Sequence, residues 1–590
     1  MKALAKRLQS VITTLVGPHQ TCGIKGRSRE TNVHVARSIL ECCDAFGDRV
    51  AMMQLDLAKA FDRVSHEVLL CVLEHSNVGT VITEGVRMAY TNCSTRVIVN
   101  RELTGSLPVL SSVRQGCPLS PLLFAVYLEP LCLAIANSQL ITGYRLQAAH
   151  VKILAYADDI AIFCSDRDST KHATTVVQQF CECTGAQINW EKSHGFWHGD
   201  WEATSDNFCR LNWASVPKRY LGVPLDAYRD PEPYWANQAL SAKEKADAWQ
   251  GRQLSMFSRA TICNLFLVSK IWYVMNVLGA MRISVQKIHR VFAVFIWAST
   301  WERTSRTNLF LPAKKGGLGL VHLFMRQVVS RFIYLRDQNN PFLRTVIQVR
   351  LSRLLPGFVV SSCQNMCGAV TGYLREVMLA YRLLNVRFSH EYLCNVTKKK
   401  LYRDLTDIML PQPLYRLPYR GGPGQDVLKR VKRMPVISSV KTFFFKLHTN
   451  TLPVKTWLHS KGIFVPWTTN CFLCKKPETI EHVFLDCWDP IFHWDVLQRT
   501  LKKQLPLDPY GIRFLPIETS QDIPYDLIML LGLHSIWKTR MQFEHADLVV
   551  RPVREHFVES VVSLRECYRA LPDPPEWITL LDVLVSLREF

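Results

Sequence analysis

A pair of adjacent acids between two apolar segments is the feature that most restricts how this chain can fold. Tyr-Ala-Asp-Asp at residues 156–159 lies between Ile-Leu-Ala and Ile-Ala-Ile-Phe. Apolar, β-branched flanks around a short turn predict a buried β-hairpin with Asp158 and Asp159 at its tip. Adjacent carboxylates repel each other, and a bound divalent cation relieves that repulsion. The segment therefore indicates either a solvated acidic turn or a metal site at a cleft.

A third acid follows another predicted strand. Residues 50–53 form an apolar run, Asp56 comes near its end, and residues 62–74 have the apolar spacing of a helix. An acid at a strand end can meet an acidic hairpin on neighbouring strands, so three carboxylates are expected to converge. Oxygen ligands suit Mg²⁺, and two such ions about 3.5–4 Å apart serve nucleotidyl transfer. The alternative for Asp56 is a helix cap or a surface acid, and Asp62 is assigned to capping or hydrogen bonding beside the site.

The loop at residues 112–121 has side chains suited to contact with nucleic acid. Gly116 allows the backbone to approach a base or sugar closely, and Arg114 and Gln115 can contact phosphate or base edges. The plainer interpretation is that the loop only leads into a helix.

A long apolar helix is predicted after this loop. Ser120 is expected as its N-cap and Pro121 as its first helical residue, a combination typical of helix starts. Pro130 is expected to kink or end the helix, because proline lacks an amide hydrogen and clashes with the preceding turn.

Together these segments resemble the successive palm motifs of reverse transcriptases. The matching residues, in chain order, are Asp56-x4-Phe61-Asp62, Arg114-Gln115-Gly116-x-Pro118-x-Ser120-Pro121 and Tyr156-Ala157-Asp158-Asp159. Two further segments, at residues 20–28 and 220–225, make the chain similar in particular to the polymerases of non-LTR (LINE-type) retrotransposons.

The resemblance implies a catalytic role for four residues. Asp56, Asp158 and Asp159 would hold two catalytic Mg²⁺ ions. Lys192, within the segment at residues 185–193 that resembles the next palm motif, would be a general acid for the departing pyrophosphate. The alternative for Lys192 is a solvated surface charge.

The resemblance also implies contacts to nucleotide, primer and template. Phe61 would exclude a ribose 2′-hydroxyl and so favour deoxynucleotides, although ordinary core packing is its alternative. Tyr156 would support the primer end, and Gln115 with Gly116 would lie near the incoming nucleotide and template. Arg114 belongs to the same predicted contact surface.

Four residues near the C-terminus have the spacing of a structural zinc site. Cys471-x2-Cys474-x7-His482-x4-Cys487 offers three thiolates and one imidazole, which can close a tetrahedral Zn²⁺ site. The alternative is coincidence in a chain with 19 cysteines. The arrangement resembles the zinc-binding module that follows the polymerase in many LINE-type proteins.

Charge supports a nucleic-acid partner. The 71 Lys and Arg residues against 50 Asp and Glu residues give a formal net charge of +21, and such an excess attracts phosphate backbones. The resemblance to reverse transcriptases implies the particular partners, which are an RNA template, a DNA primer or target, and deoxynucleoside triphosphates.

The predicted fold is α+β, a right-hand polymerase followed by a mostly helical region. Partial fingers and the palm are assigned to residues 1–225, a helical thumb to 226–345 and a connector to 346–435. The C-terminal domain is assigned to residues 436–590, with the zinc module at about 465–490.

Two observations favour an intracellular protein without a membrane partner. No uncharged apolar stretch reaches the ~18 residues of a spanning helix, and no signal-peptide pattern follows the N-terminus. The odd number of cysteines fits reduced thiols. A nuclear or cytoplasmic ribonucleoprotein is expected.

The sequence therefore predicts an RNA-directed DNA polymerase. Because the chain starts shortly before Gln20 and shows no endonuclease segment, an N-terminally truncated copy is expected. One alternative is an inactive or co-opted remnant that only binds nucleic acid. Another is an RNA-dependent RNA polymerase, against which Phe61 counts.

Overall fold

The computed structural model describes residues 1–201, 208–214, 219–360, 369–466, 468–517, 523–543 and 549–586. The chain divides into two compact units. The first comprises Met1–Tyr234, Tyr273–Ala280 and Gln327–Lys398, and the second comprises Trp235–Trp272, Met281–Arg326 and Lys399–Phe590. The domain boundaries expected at residues 225, 345 and 435 stay predictions.

Helices are the main elements of both units. In chain order they are α1 (Lys2–Leu15), α2 (Arg29–Phe46), α3 (His66–His75), α4 (Thr80–Tyr90), α5 (Ser120–Asn137), α6 (Arg167–Thr184), α7 (Glu232–Gln250), α8 (Met256–Ile262), α9 (Ser269–Val277), α10 (Arg282–Trp297), α11 (Thr307–Phe310), α12 (Leu323–Arg336), α13 (Pro341–Leu351), α14 (Gly372–Asn385), α15 (His390–Asn395), α16 (Lys398–Met409), α17 (Val427–Arg433), α18 (Ser438–His448), α19 (Lys455–Ser460), α20 (Trp488–Leu501), α21 (Gly511–Phe514), α22 (Tyr525–Phe543), α23 (Val553–Arg569) and α24 (Ile578–Val585).

The strands all lie in the first unit, as far as the structure describes the chain. They are β1 (Val50–Asp56), β2 (Ser94–Thr95), β3 (Ile98–Val99), β4 (Glu102–Leu103), β5 (Leu107–Pro108), β6 (Tyr144–Leu146), β7 (Ala149–Val151), β8 (Ile153–Tyr156), β9 (Asp159–Cys164), β10 (His194–His198), β11 (Asn212–Ala214), β12 (Arg219–Tyr220) and β13 (Val223–Pro224). The predicted α+β class is confirmed.

One five-stranded sheet organises the first unit. Its strand order is β11-β10-β1-β9-β8. The central strand β1 is antiparallel to both β9 and β10, whereas β10 and β11 are parallel. Strands β8 and β9 form the predicted hairpin. Residues 50–53 of β1 are all buried. Because successive side chains of a strand point to opposite faces, both faces of the sheet are covered at this place, and the sequence therefore shows a continuous apolar run there.

Helix α5 packs into the core beside this sheet. It corrects the predicted N-cap and shows that Pro130 does not end the helix, whereas a kink at Pro130 stays a prediction. Leu119, not Ser120, is the N-cap; Ser120 is the first helical residue, and its hydroxyl donates to the Arg114 carbonyl. The helix also continues through Pro130 to Asn137. Pro130 itself is exposed while its neighbours are buried, so apolar burial outweighs the roughly 3 kcal/mol that an internal proline costs.

The helix predicted from residue 62 begins later, at His66. Ser65 is its N-cap, with a hydroxyl that accepts a hydrogen bond from the Val68 amide. Within the range assigned to the helical thumb, a π-helical segment, Cys263–Val268, leads directly into α9.

Two helical stretches are long and apolar enough to cross a membrane by length and composition alone. They are Ser120–Asn137 and Met256–Val277, and 67% and 61% of them, respectively, are buried inside the protein. Buried core helices have the same composition.

Candidate active site and metal centre

Strand pairing brings the predicted acids to one end of the sheet. Asp56, the last residue of β1, lies directly opposite Asp159, the first residue of β9. Ala157, at φ +53°, and Asp158 form the turn that joins Tyr156 of β8 to Asp159. Directly opposite residues of an antiparallel pair have Cβ atoms about 4.5–5.5 Å apart on one face. The acids of two distant sequence segments are therefore neighbours.

Burial and neighbouring carboxylates raise the pKa of Asp158 and Asp159. Burial first, then the neighbouring Asp158 and Asp56, raises the pKa of Asp159 to about 6, although Asp159 is partly open to solvent. Burial and Asp56 also raise the pKa of Asp158. No described Lys, Arg or His forms an ion pair with any of the three. These oxygen donors without a cationic partner are of the type that a hard divalent cation such as Mg²⁺ prefers. In this structure the carboxylates of Asp56, Asp158 and Asp159 do not all lie within 4.8 Å of one another.

Protonation of Asp159 should weaken metal binding at mildly acidic pH. Its folded-state pKa lies above the ordinary value, and a metal binds the deprotonated carboxylate, so affinity should be full above the raised pKa and fall below it. We expect about a tenfold loss of Mn²⁺ affinity between pH of about 7.5 and about 5. The free Mn²⁺ signal in electron paramagnetic resonance measures it. A pH-independent affinity in the unaltered protein would contradict this assignment.

Gln20 forms a hydrogen bond to the backbone of the acidic turn. Its Oε1 accepts hydrogen bonds from the amides of Cys22 at 2.9 Å and Ala157 at 3.1 Å, and Gln20 is fully buried. The backbone beside it pairs with Ala155, which donates to the His19 carbonyl at 2.8 Å. The sequence places Gln20 within a family motif but does not reveal this contact, since it joins residues 137 positions apart.

Replacing Gln20 with Leu should lower polymerase activity through the position of the turn. The substitution leaves the buried Ala157 amide without an acceptor, which costs about 1–3 kcal/mol, and a displacement of about 1 Å at a catalytic group costs about 100-fold in rate. We expect the rate of primer extension to fall about 10- to 100-fold in Gln20→Leu. Gln20→Glu keeps an acceptor oxygen, so its rate should be close to that of the unaltered protein. Equal rates for the Leu variant and the unaltered protein would show that the turn needs no such support.

Phe61 is partly buried and packs against the hydrophobic core. Its ring stacks on Phe124, with centroids 4.7 Å apart and planes 20° apart. The next residue, Asp62, accepts a hydrogen bond from Gln115 Nε2 at 3.4 Å, which agrees with its assignment to hydrogen bonding beside the site. Core packing of Phe61 is thus observed, while its discrimination against ribose stays a prediction.

The loop that contains Gly116 runs alongside Phe61. The Val113 amide donates to the Phe61 carbonyl at 2.8 Å. Gly116 has φ +79°, and the space where a Cβ would lie is open. Arg114 is exposed but turned toward the end of α4, where it donates to the Ala89 carbonyl and to Cys93 Sγ. The loop thus offers exposed polar groups and free backbone at one surface.

The segment with Lys192 is attached to the backbone of Asp56. The Asn189 amide donates to the Asp56 carbonyl at 2.8 Å, and the Asp56 amide donates to Ser193 Oγ at 3.1 Å. Lys192 itself is exposed. Residues on both sides of Lys192 are therefore hydrogen-bonded to the backbone of Asp56. The catalytic role of Lys192 stays a prediction.

A cavity of about 700 Å³ opens beside Tyr156. Lys25, Arg29 and Tyr273 are among its other lining residues. The Arg29 guanidinium lies 3.9 Å from the centroid of the Tyr273 ring, and the Tyr273 hydroxyl donates to the Leu221 carbonyl at 2.7 Å. Sequence reasoning missed Arg29 and Tyr273, because nothing local links a tyrosine at 273 to the turn at 156.

The predicted zinc ligands come together in the second unit. Cys471, Cys474, His482 and Cys487 place their ligand atoms within 4.8 Å of one another; no other such group of three or more occurs in the part of the chain that the structure describes. The sulfurs of Cys471 and Cys487 are 3.7 Å apart, close to the about 3.8 Å of a tetrahedral site with Zn–S bonds of about 2.3 Å. The donor set fits zinc.

A buried arginine from α22 completes this centre. Arg540 donates to Cys471 Sγ at 3.1 Å and to Cys487 Sγ at 3.2 Å, and lies 3.8 Å from the Glu478 carboxylate. Burial works against ionisation of Cys471, yet hydrogen bonds from its surroundings, including Arg540, hold the pKa of that thiol below its ordinary value. Burial, by contrast, raises the pKa of the Cys487 thiol to about 11 although Arg540 opposes this. With zinc bound, three thiolates would carry one negative charge more than Zn²⁺ neutralises, and the Arg540 guanidinium would balance it.

Comparison with known proteins gives two family matches. Residues 1–225 match the family model described as reverse transcriptase (RNA-dependent DNA polymerase), and residues 413–494 match the model described as zinc-binding in reverse transcriptase. The uncharacterized 149 kDa protein of transposon TX1 from Xenopus laevis is 31% identical over 352 residues, which are 56% of this chain and 26% of that protein.

A second relative is the retrovirus-related Pol polyprotein from type-1 retrotransposable element R2 of Nasonia vitripennis. It is 23% identical over 282 residues, 45% of this chain and 27% of that protein. The chain thus spans about a quarter of the length of the curated relatives that it matches.

Among solved structures, Candida albicans telomerase in complex with a TWJ fragment of telomeric RNA matches with 11% identity and a TM-score of 0.31 over 67% of this chain and 57% of that one. No functional conclusion follows from so low a score. The family models and the two transposon relatives lead to one statement. The chain carries a reverse transcriptase domain of the non-LTR retrotransposon type in its N-terminal part and a zinc-binding reverse-transcriptase module in its C-terminal part.

Proposed function

We propose that this protein is an RNA-directed DNA polymerase that extends a DNA 3′ end on an RNA template by two-metal nucleotidyl transfer. The observation that carries the proposal is the pairing of Asp56 with Asp159 beside Asp158, within a chain segment that matches the reverse transcriptase family. Clustered carboxylates without a cationic partner can bind divalent metal ions.

The three acids would hold the metal ions, and the ions would supply charge that lowers the pKa of a primer hydroxyl and stabilises phosphate oxygens. Asp56 and Asp159, on adjacent strands, present their carboxylates on one face of the sheet. Asp158 approaches from the turn that Gln20 fixes. Lys192, on a segment anchored to Asp56, is assigned to give a proton to departing pyrophosphate.

Selection for deoxynucleotides is assigned to Phe61. Its ring is held by stacking on Phe124, so it cannot easily move away from a 2′-hydroxyl. Gln115 and Gly116 are assigned to the nucleotide and template, and Arg114 to phosphate. The Mg²⁺ ions and deoxynucleoside triphosphates belong to this proposal.

The cavity beside Tyr156 is assigned to the primer strand. Lys25 and Arg29 supply positive charge, and Tyr156 and Tyr273 supply aromatic surface, the combination by which proteins hold single strands and backbone phosphates. On the zinc module, Phe472 and Trp488 are exposed beside Lys475 and Lys476, which supports a further contact with RNA or target DNA.

Primer extension tests the proposal. Purified protein with Mg²⁺ and dTTP should extend oligo(dT) annealed to poly(rA), and dTTP should be preferred over UTP. Preference for UTP would reverse the assignment to an RNA polymerase. No extension by protein that still binds the primer–template would favour a nucleic-acid-binding remnant.

A further inference from the structure

The second unit has a cavity of about 880 Å³. Helices α8, α18 and α22 and residues 252–254 all contribute to its lining. Three of the lining residues are cationic, Arg252, Arg259 and Lys446, and none is acidic. A cavity with one sign of charge concentrates ligands of the opposite sign.

The cationic groups of this cavity lack carboxylate partners. Neither Lys446 nor Arg252 forms an ion pair with any residue that the structure describes. The Arg259 guanidinium donates only to the Phe295 carbonyl, and Arg252 lies 4.4 Å from the centroid of the Trp249 ring.

Other arginines of the same unit are paired with acids. Arg430 pairs with Asp526, and Arg513 donates to Glu481 at 2.8 Å. These two arginines have carboxylate partners, whereas the cationic residues of the cavity do not.

The cost of this arrangement is visible at Lys446. Burial, with the nearby positive charge of Arg303, lowers the pKa of Lys446 to about 8. An anion in the cavity would relieve both effects.

Aromatic rings lie in the same cavity. Phe443 forms part of its lining together with Trp537, and their ring centroids are 6.2 Å apart at an interplanar angle of 30°. Trp537 is only partly buried. Trp537 also stacks with Phe484, at 6.4 Å between centroids, and Phe484 in turn lies 5.9 Å from Phe443. Phe484 belongs to the π-helical segment His482–Asp486, which carries a predicted zinc ligand. The aromatic wall is thus continuous with the zinc module.

We propose that this cavity binds an unpaired nucleotide of single-stranded nucleic acid, with Lys446 and Arg252 on the phosphate and Trp537 against the base. Cavities of about 300–1,000 Å³ accept ligands of this size. Aromatic stacking together with cationic contacts is the usual means of holding single strands. A paired base has its faces covered by its neighbours, so duplexes are excluded. The proposal requires no polymerase activity.

Photochemical cross-linking locates the contact. A short oligouridylate containing 4-thiouridine is irradiated with the full chain, and cross-linked peptides are identified by mass spectrometry. We expect cross-links within residues 437–446 or 534–541. Lys446→Gln and Arg252→Gln should each lower their yield about fivefold, and each should reduce the salt dependence of binding by about one phosphate contact.

Lys441→Gln is the matched control. Lys441 lies on the same helix, and burial lowers its pKa as well, but its ammonium donates to the Lys432 carbonyl and it does not line the cavity. This variant should leave the yield unchanged. Arg252 is exposed, so Arg252→Gln keeps the test valid if Lys446→Gln disturbs folding.

The competing outcomes are distinct. Competition by oligo(dT) as strong as by oligouridylate would support the proposal and extend it to single-stranded DNA. Equal competition by a duplex or by polyglutamate would overturn it, as would cross-links that both variants leave unchanged. A chain that fails in primer extension can still give the mapped cross-links, so failure of the polymerase proposal is separate from failure of this one.

Discussion

Asp158→Asn should abolish primer extension while leaving the fold intact. Asn is nearly the same size but removes one negative charge from the group that would hold the metal ions, so transition-state charge goes uncompensated. We expect a loss of at least about 1,000-fold in rate, equivalent to about 4 kcal/mol of barrier. Extension of oligo(dT) on poly(rA) measures the rate, and thermal unfolding measures stability.

Stability should not fall in this variant. Burial, followed by the charge of Asp56, raises the pKa of Asp158, which means that the charged form is disfavoured in the folded protein without metal. Removing the charge should therefore leave the metal-free protein as stable as before or slightly more stable. A variant that loses activity together with its fold would leave no evidence for a metal role.

Asp62→Asn is the matched control for Asp158→Asn. Asp62 lies close in sequence to Asp56 but is exposed, and its Oδ1 accepts from Gln115 at 3.4 Å. An amide oxygen can accept the same bond, so we expect less than about a tenfold change in rate. If Asp62→Asn proved as damaging as Asp158→Asn, the assignment of the metal ligands would be wrong.

The acidic hairpin could be predicted from sequence because its signals are local. Apolar β-branched residues flank four turn residues, and the hairpin of β8 and β9 forms at that place. The pairing of Asp56 with Asp159 is not local; only the combination of two strand-end acids suggested it. The sequence predicts an element correctly where the spacing of its apolar residues and its turn residues indicate the same structure, as they do in this hairpin.

Helix α5 shows where local signals are overruled. Pro130 has a strong helix-breaking tendency, yet the helix continues because buried residues on both sides of it pack into the core. Local propensity is a weak prior against such tertiary burial.

Side-chain contacts between distant segments could not be predicted at all. Gln20 reaches Ala157 over 137 positions, and Arg540 reaches Cys471 over 69. Each is a single polar residue in a stretch whose pattern gives no reason to single out that contact. Such contacts depend on the complete packed fold. The sequence pattern predicts the elements of that fold but not how distant side chains meet.

Arg540→Met should release zinc and destabilise the second unit. The change removes the donors to two sulfurs and leaves Glu478, 1% exposed, without its cation. Loss of a partner from a buried ion pair costs about 3–5 kcal/mol, and loss of a group that orients metal ligands costs about 10- to 100-fold in metal affinity. Competition with a chromogenic chelator measures zinc release, and thermal unfolding measures stability.

Two further variants separate zinc retention from stability. Arg540→Met combined with Glu478→Gln no longer buries an unpaired charge, so it should regain stability but not zinc affinity. Cys471→Ser should lose zinc outright, whereas elemental analysis of the unaltered protein should find one zinc per chain. Absence of zinc from the unaltered protein would refute the site. If Arg540→Met released zinc as slowly as the unaltered protein does, the guanidinium would only pack against the site. A group that balances thiolate charge cannot be removed without weakening zinc binding.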